Sequence, residues 1–296
     1  MSFYWPLVEF YNIILEKSKW KIVNLASYFS YYQFNIFLRL DYMSNTKISF
    51  LASNEPKVID ASERLKTKYG NCALSEAAVI VALGGDGFML GTLHDNMNRG
   101  LPVYGMNFGT VGFLMNDFSN EGLIQRLSRA EETIINPLSM TAKCLDGSTK
   151  TALAINEVSL LRSSSQAAKL RILIDGKERM QELVCDGALV STPAGSTAYN
   201  YSAHGPILPI NADILALTAM AAYRPRRWRG AVLNSEATIL FETLEIEKRP
   251  VSAVADSVEV ENVISVAIKS NKQIKHRLLF DPGHGLEERL ISEQFS

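Results

Sequence analysis

Gly84-Gly85-Asp86-Gly87 sets one carboxylate among three glycines. A glycine-rich turn that opens a helix brings backbone amides close to phosphate, because no side chain stands in the way and the helix N-terminus favours negative charge. Gly84, Gly85 and Gly87 are therefore candidates to approach phosphates, using backbone conformations closed to residues with a Cβ. A carboxylate repels phosphate oxygens at the same range, so Asp86 needs another target, a hydroxyl or a metal ion. Asp and Gly are also favoured in ordinary turns. These four residues alone leave a plain turn open.

Two further stretches carry polar chemistry. Asn156-Glu157 interrupts an apolar run, Ala152 to Leu161, which is expected to be a strand. Burying an amide and a carboxylate there is costly unless both are hydrogen-bonded, and a ligand rich in hydroxyls would satisfy them. An edge strand with the pair facing water is the alternative. The segment Asp186-Gly187-Ala188-Leu189-Val190-Ser191-Thr192-Pro193-Ala194-Gly195-Ser196-Thr197-Ala198-Tyr199 is built mostly of small residues. Its amides and hydroxyls can reach a flat polar ligand, and Tyr199 offers a ring or a hydroxyl. A Ser/Thr/Gly-rich surface connection is the competing reading.

Positioning these residues requires a parallel sheet followed by antiparallel ones. Lys47–Ala52, Ala78–Leu83 and Pro102–Met106 read as strands, with helices from Asn54, as cap, to Lys68 and from Phe88 to Arg99. Pro56 suits the first turn of the first helix and Gly70 its end. The unit is βαβαβ, whose ligands bind beyond the carboxyl ends of the strands. The glycine turn and Asn107-Phe108-Gly109-Thr110-Val111-Gly112-Phe113-Leu114 both emerge there, so they can line one crevice. A helix from Ser119 to Arg129 follows. Beyond it, Ser139–Cys144, Ala154–Leu161, Lys169–Ile174 and Val232–Phe241 are short, β-rich and punctuated by Asp146-Gly147 and Asp175-Gly176 turns.

The expected fold class is thus an α/β, Rossmann-like parallel-sheet domain followed by a mainly β, sandwich-like domain. The expected divisions are residues 43–135 and 136–275, with 276–296 as a C-terminal segment. Residues 1–42 differ in texture, holding nearly half of the chain's Phe, Trp and Tyr. Their longest uncharged span is too short and polar for a membrane helix, and no signal-peptide pattern is present. The expectation is that translation begins at Met43 and that the leader is a gene-start artefact; an accessory amphipathic or membrane-touching segment is the alternative.

With 296 residues, 47% of them hydrophobic, and 30 Lys and Arg against 31 Asp and Glu, the chain reads as a soluble globular protein and not a bulk nucleic-acid binder. Cys72, Cys144 and Cys185 lack metal spacing and suit a reducing, cytoplasmic setting. His94, His204, His276 and His284 form no metal-binding motif, which leaves only a transient Mg²⁺ carried by substrate phosphates. Arg224-Pro225-Arg226-Arg227-Trp228-Arg229 is a basic run with one aromatic. It fits a solvated loop or subunit contact, a substrate phosphate, or nucleic acid.

Taken in order, Gly84-Gly85-Asp86-Gly87, Asn107 with Gly112-Phe113-Leu114, Asn156-Glu157, and Asp186-Gly187 leading to Ser191-Thr192-Pro193-Ala194-Gly195-Ser196-Thr197-Ala198-Tyr199 resemble the NAD kinase family. The resemblance runs from about Lys47 to the C-terminus. Lipid kinases of the diacylglycerol kinase type and phosphofructokinases share something like the first motif; the long Ser/Thr-Pro-x-Gly-Ser-Thr-Ala-Tyr stretch is far more specific. Phe88 stands where the family usually has Thr, and Ala194 where Thr or Ser is frequent.

The resemblance implies transfer of the γ-phosphoryl of ATP, with Mg²⁺ or another divalent cation, to the 2′-hydroxyl of the adenosine ribose of NAD. It implies Asp86 as the catalytic acid-base residue that orients that hydroxyl. It further implies an NAD site built from Asp86, Gly87, Asn156, Glu157, Asp186, Ala194, Thr197, Ala198, Tyr199, Ser202 and Asp256. A homodimer or homotetramer and a C-terminal stretch, Phe280 to Leu290, that packs back on the α/β domain are implied as well. A lipid or sugar kinase, or a dinucleotide-binding regulator without catalysis, are the competing functions.

Overall fold

The computed structural model describes residues 46–291 except 111, 227, 286 and 290. The 1–42 leader and the proposed start at Met43 lie outside the described residues.

Alternating strand and helix build the first unit. Strands β1 (Ile48–Ala52), β2 (Val79–Gly84) and β3 (Pro102–Asn107) pair in parallel, connected by helices α1 (Pro56–Tyr69) and α2 (Asp86–Asn96). All six residues of β2 are buried, as a strand covered on both faces requires. Val79, Val81 and Leu83 pack with Val58, Ala61 and Leu65 of α1, whereas Ile80 and Ala82 pack with Met89 and Leu93 of α2. The short β4 (Asn116–Asp117) pairs with β3, and helix α3 (Leu123–Arg129) leads into β5 (Glu131–Ile135).

Three helix starts differ from expectation. Asn54 does not cap α1. Glu55 precedes the helix in extended conformation, φ −75° and ψ 132°, with Pro56 in the first turn, because the residue before proline is driven out of the helical region. Helix α2 begins at Asp86, earlier than Phe88, since a carboxylate in the first turn complements the helix dipole. Helix α3 begins at Leu123 and not Ser119, because Gly122 is left-handed at φ 69° and breaks any earlier turn.

The second unit is a sandwich. Its strands are β6 (Leu138–Cys144), β7 (Thr149–Ala154), β8 (Glu157–Arg162), β9 (Ala168–Ile174), β10 (Lys177–Cys185), β11 (Gly187–Ser191), β12 (Ile214–Met220), β13 (Gly230–Asn234), β14 (Ile239–Thr243), β15 (Val251–Ala255), β16 (Val258–Val260) and β17 (Val263–Ser270). They form two antiparallel sheets, ordered β10-β9-β14-β17-β6-β7 and β13-β12-β11-β8-β15-β16. Ile172, Phe241 and Val266 of the first meet Val158, Leu160 and Val190 of the second in one buried core.

Val232–Phe241, expected as one strand, is two strands in different sheets. The Glu236 amide donates to Asn234 Oδ1 at 2.9 Å and the Ala237 amide to the Asn234 carbonyl at 3.0 Å, and this asparagine turn passes the chain from β13 to β14.

The chain then returns to the first unit. Strand β18 (His276–Phe280) lies parallel to β3 and antiparallel to β5. Just beyond it, Asp281 Oδ1 accepts the Tyr104 hydroxyl at 2.8 Å and Asp281 Oδ2 accepts Arg126 Nε at 3.1 Å, which fastens the returning segment to β3 and α3.

Candidate active site

Asp86 occupies the first turn of α2, directly beyond the carboxyl end of β2. Its carboxylate accepts two consecutive amides: Phe113 N–H to Oδ2 and Leu114 N–H to Oδ1, both at 2.8 Å. The loop that supplies them leaves the carboxyl end of β3, so the two stretches do line one crevice. Gly112 makes this loop possible. It is left-handed at φ 75°, and a Cβ there would lie 2.4 Å from the Asn107 side chain. Asn107 Oδ1 in turn accepts the Gly109 amide at 2.8 Å.

The three glycines of the turn work through close approach and not through unusual dihedrals, which corrects the sequence expectation. None of them is left-handed. Gly84 is buried, and a Cβ on it would stand 2.8 Å from Phe88 Cβ; Gly85 packs on the backbone of Gly109; Gly87 is exposed with nothing near its Cβ position. Gly87, in the first turn of α2, is thus open to solvent beside the carboxylate.

On the sandwich side, Asn156 is not inside a strand. The expected strand Ala152–Leu161 splits into β7 and β8 around Ile155-Asn156, because two successive amides turn toward the Asp256 carboxylate. Ile155 N–H donates to Oδ2 at 2.6 Å and Asn156 N–H to Oδ1 at 3.0 Å. Asp256 sits in the turn between β15 and β16 at φ 48°, a conformation that Asp tolerates better than most residues. Its Oδ2 also lies 2.8 Å from His94 Nε2 on α2. The carboxylate of Asp256 is 5% exposed.

The small-residue segment locks onto the same loop. Thr192 Oγ1 donates to the Ile155 carbonyl at 2.7 Å and accepts the Gly195 amide at 3.0 Å, while Thr192 N–H donates to the Asn156 carbonyl at 2.9 Å. A Cβ on Gly195 would lie 2.2 Å from that carbonyl oxygen. Ala194 and Gly195 are buried, Thr197 and Ala198 are half-buried, and Tyr199 and Ser202 are exposed. Ala194 also shares an apolar cluster with Ile155, Met89 and Leu114. The loop that holds Asp86 and the segment expected to hold the ligand therefore meet in one core.

Glu157 opens β8 beside this junction. Burial, reinforced by the Asp256 charge and opposed by the Tyr199 backbone N–H, pushes its carboxyl up to about 7. Its Oε2 is buried without a hydrogen-bond partner. A donor such as a ligand hydroxyl would satisfy it. Asp186 and Tyr199 lie farther along, lining with Arg162, Ser202, His204 and Met220 an open cleft of about 740 Å³. Arg162 Nε donates to Asp186 Oδ1 at 2.6 Å.

The sequence reading gives neither His94 nor Arg289 a role in the site. Arg289 Nη1 donates to the Gly112 carbonyl. His94 meets a partner 162 residues away, which no local pattern announces. Of the basic run, Arg224 stacks over the Tyr223 ring at 5.5 Å and Trp228 packs against the sandwich core. Arg227 lies outside the described residues.

Comparison with protein families matches the ATP-NAD kinase N-terminal domain over residues 31–133 and the ATP-NAD kinase C-terminal domain over residues 155–269. The chain belongs to the NAD kinase family. It is 62% identical over 253 residues to an NAD kinase of Cereibacter sphaeroides, covering 86% of this chain and 100% of the relative. It is 56% identical over 251 residues to the NAD kinase of Caulobacter vibrioides, covering 85% and 96%. In fold it is similar to yeast NADH kinase complexed with NADH, with a TM-score of 0.72 at 20% identity, covering 84% of this chain and 87% of that one. It is likewise similar to an NAD kinase from Archaeoglobus fulgidus in complex with ATP, with a TM-score of 0.68 at 24% identity, covering 83% and 98%. Its fold, an α/β domain with a returning strand and a β domain, is therefore that of NAD kinase family enzymes.

Proposed function

We propose that this enzyme transfers the γ-phosphoryl group of ATP to the 2′-hydroxyl of the adenosine ribose of NAD, with Asp86 as the residue that acts on that hydroxyl. The observation that carries the reading is the carboxylate of Asp86, held by two backbone amides at the mouth of the crevice between β2 and β3. The relatives' names and the NADH and ATP bound to the two structural neighbours support the substrates.

A ribose hydroxyl is a very weak acid and a carboxylate a weak base, so full deprotonation before attack is not expected. In a loose phosphoryl-transfer transition state the proton leaves late. Asp86 orients the hydroxyl through a remaining lone pair and accepts the proton as the bond to phosphorus forms. The first turn of α2, with its exposed Gly87, directs amide dipoles at the phosphates. Asn156 and Glu157 take ribose hydroxyls or base edges, with Glu157 Oε2 as the unmet acceptor, and Asp186, Ala194, Thr197, Ala198, Tyr199 and Ser202 enclose the rest of NAD.

The described residues hold no group of three or more His, Cys, Asp or Glu side chains able to bind a metal ion. That is no test of Mg²⁺ or another divalent cation with ATP, which would be carried by the donor phosphates with one or two carboxylates. A cytoplasmic location and a homodimer or homotetramer belong to the same proposal. No helix among the described residues is long and apolar enough to cross a membrane.

The deciding experiment is a coupled assay of the purified chain with ATP or polyphosphate and with NAD or NADH, alongside diacylglycerol and sugar acceptors. NADP formation is the expected result. Phosphorylation of a lipid or sugar with NAD inert, or NAD binding without any product, would replace the proposal.

A further inference from the structure

We propose that His94 is a positioning residue for the dinucleotide: through Asp256 it ties the helix that begins with Asp86 to the Asn156-Glu157 loop. The inference rests on the function proposed above and concerns how its two halves are held in register.

The two units meet here through Met89, Leu93 and Leu114 on one side and Ile155 and Ala194 on the other. Apolar contact of this kind is non-directional, so it allows the sandwich to shift against α2 without losing much burial. Phosphoryl transfer does not tolerate such freedom, since displacement of about 1 Å at the reacting atoms costs roughly a hundredfold in rate. A directional link is needed. His94 Nε2 to Asp256 Oδ2 at 2.8 Å is such a link, and it joins elements of the two units.

Three groups converge on the one buried carboxylate: His94 from α2, and the amides of Ile155 and Asn156 from the loop before β8. With the carboxylate only 5% exposed, Asp256 acts on the dinucleotide through Asn156 and Glu157. The other titratable groups around it are Glu157, whose carboxyl is raised partly by the Asp256 charge, and His276, whose ring packs edge-on to His94 with centroids 6.4 Å apart. His276 Nε2 is buried without a hydrogen-bond partner.

The test uses the full chain carrying His94→Ala, His94→Gln or His94→Phe, with Asp256→Asn alone and combined with His94→Ala. Steady-state kinetics and calorimetric titration of NAD without ATP are the readouts. His94→Ala and His94→Phe are expected to weaken NAD roughly tenfold, the size of one charge-assisted hydrogen bond, with KM for ATP unchanged within about twofold. His94→Gln, which can still donate, should restore most of the NAD affinity. The double variant should be no worse than Asp256→Asn alone. His94→Phe fills the ring's space and keeps the experiment informative if the alanine variant fails to fold. Unchanged NAD affinity in a folded His94→Phe, an equal rise in KM for ATP, or additive losses in the double variant would overturn the inference. If the wild type binds NAD yet forms no NADP, the catalytic reading falls while the titrations still judge His94.

Discussion

Asp86 begins the helix after β2 and Leu114 lies on the loop after the neighbouring parallel strand β3, and the Leu114 amide donates to Asp86 Oδ1 at 2.8 Å while the adjoining Phe113 amide takes Oδ2. The carboxylate is thus fixed from one side only, leaving a lone pair on each oxygen for a substrate hydroxyl. Asparagine cannot reproduce this, because its NH₂ would face one of the two amides. Asp86→Asn is expected to lower kcat at least a thousandfold and to cost about 1–2 kcal/mol of stability through the unmatched amide. NAD affinity by calorimetry should stay within a few-fold. Near-normal turnover would remove Asp86 from the chemistry.

Arg289 reaches the same loop from the C-terminal segment, donating Nη1 to the Gly112 carbonyl and Nε to the His284 carbonyl at 3.0 Å. Its burial lowers its pKa, against which the nearby charges of Asp117, Asp86 and Asp281 act. Arg289→Ala should loosen the loop that aims Asp86, with kcat falling roughly tenfold, the scale of one charge-assisted hydrogen bond, and KM for NAD changing little. Arg289→Lys should recover only part of that, because lysine lacks the fork that spans two carbonyls. Stopped or steady-state kinetics at saturating substrates separate these outcomes; full activity in Arg289→Ala would show that the loop holds its shape without the segment.

Glu157 carries the clearest pH signature. Its carboxyl, raised from 4.5 to about 7 by burial and the Asp256 charge, binds its proton more tightly folded than unfolded. The associated stability is fully present below pH 4.5 and is lost as pH rises through 7, up to about 3 kcal/mol. Glu157→Gln removes that slope. Thermal denaturation of the ligand-free protein should find the variant more stable than the parent at pH 8, with the two converging toward pH 5. A gap that does not vary with pH would mean that Glu157 is already ionised and paired.

The sequence makes the scaffold legible where one local rule suffices. The apolar run Ala78–Leu83 reads as a buried strand, and β2 is covered on both faces, while Pro56 and Gly70 bracket α1. Asp86 could be singled out because its charge contradicts the phosphate-binding role of its neighbours. Asn156 reads as part of a strand because the force that breaks that strand, the Asp256 carboxylate, arrives a hundred residues later. The roles of His94 and Arg289 are hidden from the sequence for the same reason. Each acts through a contact made only when the two units and the returning segment close together.

Two glycines provide a final contrast. Gly195 is enclosed, its Cβ position 2.2 Å from the Asn156 carbonyl oxygen, whereas Gly87 has nothing within 4 Å of its Cβ position. Gly195→Ala must push backbone against backbone, so a loss of several kcal/mol is expected, or a displaced Asn156 with NAD affinity lost. Gly87→Ala meets no obstacle and replaces glycine in a helical turn, so the free protein should gain roughly 0.5–1 kcal/mol. If phosphates come against this turn, the same methyl group will obstruct them, and KM for ATP should rise several-fold in a protein that is more stable than the parent. A stable Gly87→Ala enzyme with unaltered KM for ATP would move the phosphates away from this turn.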